Sequence, residues 1–540
     1  MKLPLKQRIS SRTDVRVGII GMGYVGLPLA IRLAEEGFSV TGIDISREVV
    51  TKLKASNSTV EGISNDRLRQ ALSKNLKLVQ SDNDGGLGAS KRVVNQLIGI
   101  DVFLICVPTP LHKSKEWEPD TRYIQLARDL LINLCETEKE RRKLPNERLI
   151  VLESTTYPGT TQEILSEIIT DYEPTAGKGK WYLAYSPERM NPGPHAYEDK
   201  RDDPALRKPG EEFIPGAFQI PRIVGGKDSA SKTVVKLFYE TIFDKVRPVR
   251  DIETAEMIKL VENTFRFTAI AFANEVTRLA KALGLNGWEI LDAARSKGFG
   301  FGLCSPGLIG GHCLPIDPHY LSSAVRGRRV AATFVDIAES EHQNMRREAF
   351  DLIQRLLNQR NKGVAKSSIL FLGVAYKKDV GDIRESAAIE LMERLYAAGA
   401  NLSFWDPVRA VHPAKPPIRL MFTREEHRAL PKRLANKLKL HSEQSKFYTE
   451  PKEEIGDWKK LKKKVVSSKQ KYDCVVLATD HEVFRTAYGD LMTLKDAPPI
   501  ADLSNAISRW LSDRGAPINQ KPKIRRMMKE RKKYMLIGQH

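Results

Sequence analysis

The segment from residue 15 to residue 44 constrains the fold of this chain more than any other feature of the sequence. It contains an apolar run, VRVGII (15–20), a glycine-rich turn, GMGYVG (21–26), a stretch with helical spacing, LPLAIRLAEEG, and a second apolar run, FSVTGID (38–44). This order of strand, turn, helix and strand predicts a βαβ unit. Such units build parallel sheets covered by helices on both faces, so we expect a doubly wound α/β fold.

The glycines of this turn have the spacing of a dinucleotide-binding site. Gly21, Gly23 and Gly26 match G-x-G-x-x-G, whose glycines allow the tight turn, admit a pyrophosphate near the backbone and permit close helix–strand packing. Asp44 ends the second strand, where a carboxylate can bind a ribose 2′-hydroxyl and repel a 2′-phosphate. We therefore predict NAD rather than NADP, a preference that Arg47 weakens slightly. The alternative is a glycine turn that only packs the βαβ unit.

A second α/β pattern follows a long helical stretch. Residues 251–296 contain almost no helix breakers before Gly284, which predicts a long helix and then a second one. Further strands of the first pattern are expected at 101–108, 148–154 and 181–188. Strands and helices alternate again at 367–376, 385–400, 401–407, 472–480 and 498–505. We predict an α/β fold with two Rossmann-like, doubly wound lobes joined by a long-helix connector.

Several segments rich in glycine, proline or charge interrupt these patterns. We expect loop insertions at 82–98, 136–147 and 190–218, and a larger basic insertion near 424–470. The net charge is +20, and much of the excess lies in the basic insertion and in the tail at 521–540. This charge is typical of a solvated surface, or alternatively of a surface that binds nucleic acid, anionic membranes or polyanions. Residues 521–533 of the tail have no interleaved aromatic residues, so we do not expect a nucleic-acid partner.

The cysteines and the apolar runs indicate the compartment. The five cysteines contain no C-x-x-C pair, which argues against a disulfide framework or a zinc site and favours a reducing compartment. The amino terminus has no apolar h-region, and no apolar run is long enough to span a bilayer. We therefore predict a cytoplasmic protein without bound metal.

The segment GLIGGHCLPIDPHYL (307–321) is poorly suited to a regular helix or strand. Glycines crowd the approach to His312 and Cys313, and prolines stiffen the chain beyond them. This pattern predicts a shaped loop that presents Cys313, although a single cysteine is more often a small buried apolar residue.

Other pieces of the sequence give this loop its context. They occur in the order VGIIGMGYVGLPLA, CVPTP, ESTTYPGTT, AYSPERMNPG, PRIVGG, EMIKLVENTFR, FANE, GGHCLPIDPHYL and LGVAYKKDVGDIRES. In order and spacing they resemble the UDP-glucose/GDP-mannose dehydrogenase family, most closely the branch acting on UDP-N-acetylhexosamines. The resemblance implies an NAD-dependent nucleotide-sugar 6-dehydrogenase that forms a homodimer or a higher homo-oligomer.

The resemblance also implies roles for single residues. Cys313 matches the nucleophile, and Asp317 matches the aspartate four residues after it. Glu188 matches the glutamate base, and Thr155 a threonine that helps to place the attacking water. Lys377 matches a lysine that contacts the substrate. Each residue taken singly has an ordinary alternative, such as a helix cap, a turn or a solvated charge.

The proposed chemistry requires residues of these types. An aldehyde has no hydride to release until a nucleophile adds to it, and a thiolate does so as a thiohemiacetal that can become a thioester. Water then hydrolyses the thioester. Lys259 and Asn263, which match a lysine and an asparagine of the family's central helix, are four residues apart and share one helix face. A cation and an amide donor there can stabilise oxyanions.

These inferences lead to a set of contacts and domain limits. The predicted cofactor contacts are Gly21, Gly23, Tyr24, Val25, Gly26, Asp44, Arg47, Pro108, Thr109 and Thr155. The predicted substrate contacts are Glu188, Arg189, Lys259, Asn263, Arg266, Gly310 and Lys377. The predicted regions are an NAD-binding domain at 1–230, a central helical domain for dimerisation and catalysis at 231–345, a UDP-sugar-binding domain at 346–520 and the tail at 521–540.

The identity of the sugar is less constrained than the reaction. The SPERMNPG and GGHCLPIDP segments favour UDP-N-acetylglucosamine modestly over UDP-N-acetylmannosamine, and UDP-glucose is a further alternative. The family often has an arginine after the aspartate of the last strand, whereas this chain has Asp502 followed by Leu503. Arg384 or Arg295 are candidates to compensate.

Two rival interpretations differ from this one in kind. A two-lobed hydroxy-acid or acyl-CoA dehydrogenase transfers one hydride and needs no nucleophilic cysteine. A catalytically inactive nucleotide-binding protein would use the basic segments to hold a polyanion. The joint presence of Cys313, Lys259, Asn263 and Asp317 argues against both.

Overall fold

The computed structural model describes residues 3–81, 90–112, 118–174, 179–190, 193, 196–197, 215–297, 299–302, 305–406, 472–484, 488, 498–504 and 534–536. The chain divides into two compact units. Unit 1 comprises residues 1–264 and 316–332, and unit 2 comprises residues 265–315 and 333–540. The predicted basic insertion near 424–470 and residues 521–533 of the tail lie outside the described residues.

The elements up to residue 248 all belong to unit 1. They are α1 (Leu5–Ser11), β1 (Arg16–Ile20), α2 (Gly26–Glu35), β2 (Ser39–Asp44), α3 (Arg47–Lys54), α4 (Asn65–Lys74), β3 (Leu76–Gln80), α5 (Lys91–Leu97), β4 (Val102–Ile105), β5 (Leu111–His112), β6 (Glu118–Pro119), α6 (Arg122–Glu140), β7 (Glu147–Leu152), α7 (Thr160–Tyr172), β8 (Lys180–Tyr185), β9 (Arg222–Gly226), α8 (Ser229–Tyr239) and β10 (Val246–Pro248).

The remaining elements begin with a helix that starts in unit 1 and ends in unit 2. They are α9 (Ile252–Ala282), α10 (Gly287–Arg295), α11 (Asp317–Val325), a 3₁₀ turn (Arg326–Arg328), α12 (Thr333–Asn358), β11 (Ser368–Leu372), α13 (Ala387–Ala397), β12 (Asn401–Trp405), β13 (Cys474–Leu477), a second 3₁₀ turn (Glu482–Phe484), β14 (Ile500–Asp502) and β15 (Tyr534–Leu536).

Unit 1 is built on an eight-stranded sheet in the order β10-β9-β8-β7-β4-β1-β2-β3. Neighbouring strands run parallel, except that β9 pairs antiparallel with β8. Alternate residues of each strand face opposite sides. Val102 therefore lies in one apolar cluster with α2, and Phe103 in a second cluster with α6. Both faces of the sheet are covered, as a doubly wound fold requires.

Unit 2 contains a smaller parallel sheet in the order β12-β11-β13-β14-β15. Ile369 and Phe371 of β11 pack with apolar residues of α12 and α13. The predicted α/β fold class is confirmed, with one mostly parallel sheet, one parallel sheet and a long helix in the chain between them. The predicted domain limits stay a prediction.

Two predicted loop insertions are partly wrong. Within 82–98, residues 91–97 form α5, whose Val93 and Val94 are buried. Within 136–147, α6 continues to Glu140, because Glu138 faces the interior and pairs with the fully buried Arg148 at 2.9 Å. The loop prediction for this segment relied on its charge. It failed because the charged group, Glu138, has a buried partner in Arg148.

The described residues contain neither a membrane-spanning helix nor a metal-binding cluster. No described helix is both long and apolar enough to cross a membrane. Among the same residues, no three side chains of histidine, cysteine, aspartate or glutamate are grouped to hold a metal ion.

Candidate functional site

The glycine turn after β1 is closed by backbone contacts that leave no room for side chains at two of its three glycines. Gly21 has a φ of 96°, and a Cβ there would lie 2.5 Å from the carbonyl oxygen of Cys106. A Cβ on Gly26 would lie 1.9 Å from the carbonyl oxygen of Gly21, so the start of α2 packs directly on the turn. At Gly23, by contrast, a Cβ would meet no atom of the described residues within 4 Å.

Asp44 connects the end of β2 to this turn. Its carboxylate accepts hydrogen bonds from the backbone N–H groups of Met22 and Ser46, both at 2.8 Å. Asp44 is half-buried, and this burial raises its pKa although the two N–H groups oppose the rise. Arg47 begins α3 and is exposed.

The turn fits a dinucleotide. Val25 stands at the N-cap of α2 and makes no side-chain capping hydrogen bond, so the positive end of the helix dipole lies at the turn, where it favours an anion. The open side of Gly23 would admit a pyrophosphate, and the half-buried Asp44 would accept a ribose hydroxyl. The predicted cofactor residues of this turn are therefore brought together by the fold.

The loops after β4 and β7 hold the other predicted cofactor residues. The hydroxyl of Thr109 donates to the carbonyl of Thr155 at 2.7 Å, and Ser154 donates to the carbonyl of Val107 at 2.7 Å. Both loops leave the carboxyl ends of parallel strands, the edge at which the glycine turn also lies. Pro108 is exposed on the first of these loops.

Glu188 lies beyond β8 at the same edge and is held at both oxygens. One oxygen accepts from the backbone N–H groups of Arg189 and Met190 at 2.7 and 2.8 Å. The other pairs with Arg222 at 2.9 Å. Burial raises the pKa of Glu188, while the positive charge of Lys259 acts against that rise. Lys259 therefore lies within electrostatic reach of Glu188.

Arg222, which we did not predict as a site residue, is the centre of this arrangement. It is buried at the start of β9, donates to Ser186 at 2.7 Å and pairs with Glu153. Its guanidinium also lies 5.0 Å from the ring centre of Tyr239. The sequence signal for this role is the arginine at the start of the apolar strand in PRIVGG. A guanidinium at such a position is buried and therefore needs carboxylate partners.

The central helix α9 supplies a second group of predicted residues. Lys259 is buried, with 9% of its surface exposed, and Asn263 lies one turn further along. The amide of Asn263 donates to the carboxylate of Asp317, the first residue of α11, which is 2% exposed. Tyr185, at the end of β8, lies within electrostatic reach of Asp317. Its hydroxyl is buried and has no hydrogen-bond partner among the described residues.

Arg189 and the 190–218 segment border these residues. The Arg189 guanidinium binds Glu262 of α9 and the carbonyl of Pro221, at 3.1 and 2.6 Å. The hydroxyl of Tyr197, one of the described residues of the segment, donates to the carbonyl of Tyr24 in the glycine turn at 3.0 Å. The segment therefore contacts the predicted cofactor site directly.

The loop that carries Cys313 lies in unit 2 and is fixed by backbone contacts. Asn274 of α9, buried in unit 2, donates to the carbonyl of Gly307 at 3.1 Å and accepts from the N–H of Gly307 at 2.7 Å. A Cβ on Gly310 would lie 2.8 Å from the carbonyl oxygen of Glu385. Gly311 has a φ of 96°, and a Cβ there would meet the ring of Tyr376 at 2.8 Å. Asn274, from the FANE segment, is another residue whose role we did not predict.

The remaining predicted residues of unit 2 have varied environments. Cys313 and Lys377 are half-buried, and Arg266 is exposed on α9. Arg384 pairs with Asp382 at 2.6 Å. Arg295, the other candidate to replace the missing arginine, donates to Ser305 at 3.0 Å.

The predicted site residues thus form two sets, one in each unit. The set of unit 1 comprises Gly21, Gly23, Tyr24, Val25, Gly26, Asp44, Arg47, Pro108, Thr109, Thr155, Glu188, Arg189, Lys259, Asn263 and Asp317. The set of unit 2 comprises Arg266, Gly310, Cys313 and Lys377.

Sequence profiles of the UDP-glucose/GDP-mannose dehydrogenase family match most of the chain. The profile of the NAD binding domain matches residues 15–243, that of the central domain residues 253–343, and that of the UDP binding domain residues 370–509. The three matches follow one another in the order that the family has.

Individual relatives agree with the profiles. A UDP-N-acetyl-D-mannosamine dehydrogenase of Methanocaldococcus jannaschii is 32% identical over 72% of this chain and 79% of its own. A UDP-N-acetyl-D-glucosamine 6-dehydrogenase of Salmonella typhi is 27% identical over 73% of this chain and 82% of its own. The solved UDP-N-acetyl-D-mannosamine dehydrogenase of Pyrococcus horikoshii has a TM-score of 0.67 at 24% identity, over 97% of this chain and 99% of its own. This last likeness concerns the fold.

Proposed function

The chain belongs to the UDP-glucose/GDP-mannose dehydrogenase family, and on this premise we propose that it oxidises the C6 hydroxymethyl group of a UDP-N-acetylhexosamine to a carboxylate. It is an NAD-dependent nucleotide-sugar dehydrogenase with a UDP binding domain. Within it, we propose that residues 1–230 bind NAD and residues 346–520 bind the UDP-sugar.

The choice of sugar is the finer part of the proposal. Two archaeal relatives named UDP-N-acetyl-D-mannosamine dehydrogenase are 32% and 30% identical to this chain, against 27% for the UDP-N-acetyl-D-glucosamine enzyme. We therefore place UDP-N-acetylmannosamine first. UDP-N-acetylglucosamine, which the sequence analysis favoured modestly, is second, and UDP-glucose is third.

The residues of unit 1 handle protons and developing negative charge. Bound NAD⁺ supplies the hydride acceptor for both oxidations. Lys259 and Asn263 present a cation and an amide donor on one face of α9, which suits oxyanion stabilisation. Glu188, whose pKa burial raises, is suited to accept a proton from water as a general base. Asp317 orients Asn263 by accepting its amide hydrogen bond.

Cys313 supplies the covalent step. Its thiolate adds to the aldehyde carbon and forms a thiohemiacetal, from which the second hydride leaves to give a thioester. Water then cleaves the carbon–sulfur bond, which releases the carboxylate and returns the thiolate. One sugar therefore consumes two NAD⁺, a count that separates this chemistry from a single-hydride dehydrogenase.

One observation carries this proposal more than any other. The buried Lys259 opposes the charge of Glu188, and Asn263, one turn further along α9, binds the buried Asp317. A solvated helix stripe, the ordinary alternative for a lysine and an asparagine at this spacing, would leave both side chains in water. The buried Lys259 and the half-buried Asn263 instead lie near carboxylates, which supports a catalytic role.

NADH formation at 340 nm tests the proposal. Purified protein is given each of the three UDP-sugars separately, and NADH is counted per sugar consumed for the wild type and for Cys313→Ser. We expect two NADH per molecule of one sugar in the wild type and no carboxylate product from the variant.

Cys135→Ala is the matched control, because Cys135 is buried in α6 and contacts Arg148, which is not a predicted site residue. It should keep the wild-type count. A count of one NADH that Cys313→Ser leaves unchanged would rule out the covalent step. Activity with none of the three sugars would exclude this substrate class.

We also propose that the protein is a homodimer. Phe265, Phe272 and Leu279 are each more than half exposed and recur every seven residues along α9, so they form one apolar stripe. Phe334 and Ile337 of α12 are similarly exposed. Light scattering during size-exclusion chromatography should give twice the chain mass.

Phe272→Glu combined with Leu279→Glu should reduce the measured mass to that of one chain. Phe299→Glu, which changes an equally exposed residue outside this stripe, serves as the control and should leave the dimer mass unchanged. A monomeric wild type would contradict the proposal.

A further inference from the structure

Arg222 lies beside Glu188 because β9 runs against β8. Tyr185 of β8 pairs with Gly225 of β9, and the same antiparallel register, continued past the end of β8, brings Arg222 opposite Glu188. The first residue of a parallel strand would lie at the other edge of the sheet, away from the loops that carry the predicted site residues. The reversal of β9 therefore puts an arginine where β7 and β8 end.

The guanidinium of Arg222 holds two loops together. Arg222 is 1% exposed. Its Nη1 donates to Oε2 of Glu188 at 2.9 Å, its Nε donates to Oγ of Ser186 at 2.7 Å, and its Nη2 donates to the buried carboxylate of Glu153. The hydroxyl of Tyr239 donates to the other oxygen of Glu153. Since a guanidinium is planar and presents its N–H groups in fixed directions, one side chain sets the distance between the loops after β7 and β8.

The contacts of Glu188 leave one acceptor position on the oxygen that Arg222 holds. A carboxylate has about four lone-pair positions on its two oxygens. Oε1 accepts from the backbone N–H groups of Arg189 and Met190, and Oε2 accepts from Arg222. Among the described residues, the open position is therefore on Oε2. The Glu188 side chain is 17% exposed, so solvent reaches this carboxylate.

The other carboxylate connects Arg222 to the loop after β7. Glu153 is buried and stands two residues before Thr155, whose carbonyl accepts from Thr109 at 2.7 Å. This loop cannot move at Glu153 without separating a buried ion pair, which would leave an uncompensated buried charge. The position of Thr155 relative to Glu188 therefore depends on Arg222.

We propose that Arg222 is a positioning residue for thioester hydrolysis, which holds Oε2 of Glu188 at a fixed separation from Thr155. This inference rests on the proposed function, with Glu188 as the general base and Thr155 as the residue that helps to place the attacking water. As the water oxygen bonds to the thioester carbon, Oε2 takes one of its protons and the C=O electrons move to oxygen. When these electrons return, the C–S bond breaks and sulfur leaves as a thiolate. Glu188 and the new carboxylic acid then release their protons to solvent.

A single-turnover experiment separates hydrolysis from oxidation. Full-length protein, in excess over the UDP-sugar that yields two NADH, is mixed with saturating NAD⁺. Absorbance at 340 nm follows the hydride transfers, and mass spectrometry of acid-quenched samples follows the acyl adduct on the peptide that contains Cys313. In Arg222→Lys we expect adduct decay to slow roughly tenfold or more and NADH formation to change less than about twofold, because an ammonium group cannot hold both carboxylates as a planar guanidinium does.

Arg148→Lys is the matched control. Arg148 is also fully buried and pairs with Glu138 at 2.9 Å, but it lies near the start of β7, at the opposite edge of the same sheet. This variant should lower the temperature of thermal unfolding about as much as Arg222→Lys does, and it should keep the wild-type rates of NADH formation and adduct decay. A merely structural role of Arg222 would give the two variants the same rates.

Glu153→Gln keeps the test decisive if Arg222→Lys does not fold. The amide has the shape of the carboxylate and still offers an oxygen to Arg222, so adduct decay should slow in the same direction but less. Adduct decay at the wild-type rate in Arg222→Lys, or in Glu153→Gln if only that variant folds, would overturn the proposal. Failure of the proposed function would be seen elsewhere, as the absence of any Cys313 adduct in the wild type.

Discussion

The first strand–turn–strand segments of the two units can be compared residue by residue. In unit 1, Gly21 follows β1 with a φ of 96°, and Asp44 at the end of β2 accepts the N–H of Met22. In unit 2, Gly373 follows β11 with a φ of 81°, and Asp406 after β12 accepts the N–H groups of Val374 and Ala375, both at 2.8 Å. The same acid therefore ties the same turn in both sheets.

The two acids differ in what covers them. Asp44 is half-buried and accepts from two backbone N–H groups, which leaves its outer side to a ligand. Asp406 is buried, and Nε2 of the fully buried His481 lies 3.3 Å from its Oδ2. We therefore propose that Asp44, which reaches solvent, binds a ligand, and that Asp406, which a histidine covers, has a structural role. The following predictions test this distinction, in descending order of expected effect.

His481→Leu should have the largest effect. It leaves the buried carboxylate of Asp406 without its counter-charge, which costs about 3–5 kcal/mol of the free energy of unfolding of unit 2. Hydrogen exchange of β13 amides should show the loss, while β1 amides in unit 1 stay protected. Tyr488→Phe, which removes only the hydrogen bond from a buried hydroxyl to Asp480, is the control and should cost about 1 kcal/mol. Equal losses in the two variants would contradict the prediction.

The pH dependence of unit 2 should have two limbs. Burial lowers the pKa of His481, but the carboxylates of Asp379 and Asp406, 3.7 and 3.3 Å from its ring nitrogens, outweigh burial and raise that pKa to about 9. The stabilisation by His481 is therefore present below pH 6.5 and lost as the pH rises to 9. Burial lowers the pKa of His342 to about 4, so its stabilisation is lost as the pH falls from 6.5 to 4. Each limb amounts to about 3 kcal/mol.

Hydrogen exchange of unit 2 amides at several pH values, corrected for intrinsic rates, measures both limbs. His342→Leu should remove the acid limb alone, since its ring packs against Phe267 with 4.4 Å between ring centres and no charge is needed there. An acid limb that persists in this variant would show that another group causes it.

Gly23→Ala should weaken NAD binding without unfolding unit 1. The added methyl group meets no described atom within 4 Å but lies where the pyrophosphate approaches, so we expect the Kd for NAD to rise roughly tenfold or more. Gly363→Ala in unit 2, where the space is equally open, should change neither Kd nor stability. Titration calorimetry measures the first quantity and thermal unfolding the second. A normal Kd in Gly23→Ala would place the cofactor elsewhere.

Asp44→Asn should have the smallest effect. The amide oxygen can still accept one N–H group, so stability should change by about 1 kcal/mol or less, while NAD affinity falls roughly fivefold and the discrimination against NADP decreases. Asp406→Asn should give the opposite pattern, with unchanged NAD affinity and a less stable unit 2. If both variants affect NAD affinity equally, the distinction between the two acids fails.

Local sequence patterns predicted the helices and strands and the glycine turn. The βαβ unit at 15–44 and the helices of 251–296 were predictable because each element shows its periodicity within its own segment. The glycine turn and Asp44 were predictable for the same reason, since their spacing along the chain fixes their relation.

The groups that hold the site in place were not predictable in this way. Arg222 meets Glu188 across 34 residues, and His481 meets Asp406 across 75. Glu138, in a segment predicted as a loop, faces inward only because Arg148 is there to pair with it. Buried charges need partners that tertiary structure supplies, and no pattern along the chain marks such partners in advance.

The reversed direction of β9 bears on how enzymes of this kind diversify. Because β9 runs against β8, the connection between them leaves the sheet and rejoins it at one edge, beside the glycine turn. Loop closure costs only about 0.6 kcal/mol for each doubling of length, so this connection can grow or shrink while every strand register stays the same. The surface beside the glycine turn can therefore be changed by exchanging one contiguous stretch of the gene between Arg189 and Arg222, with every strand left unchanged.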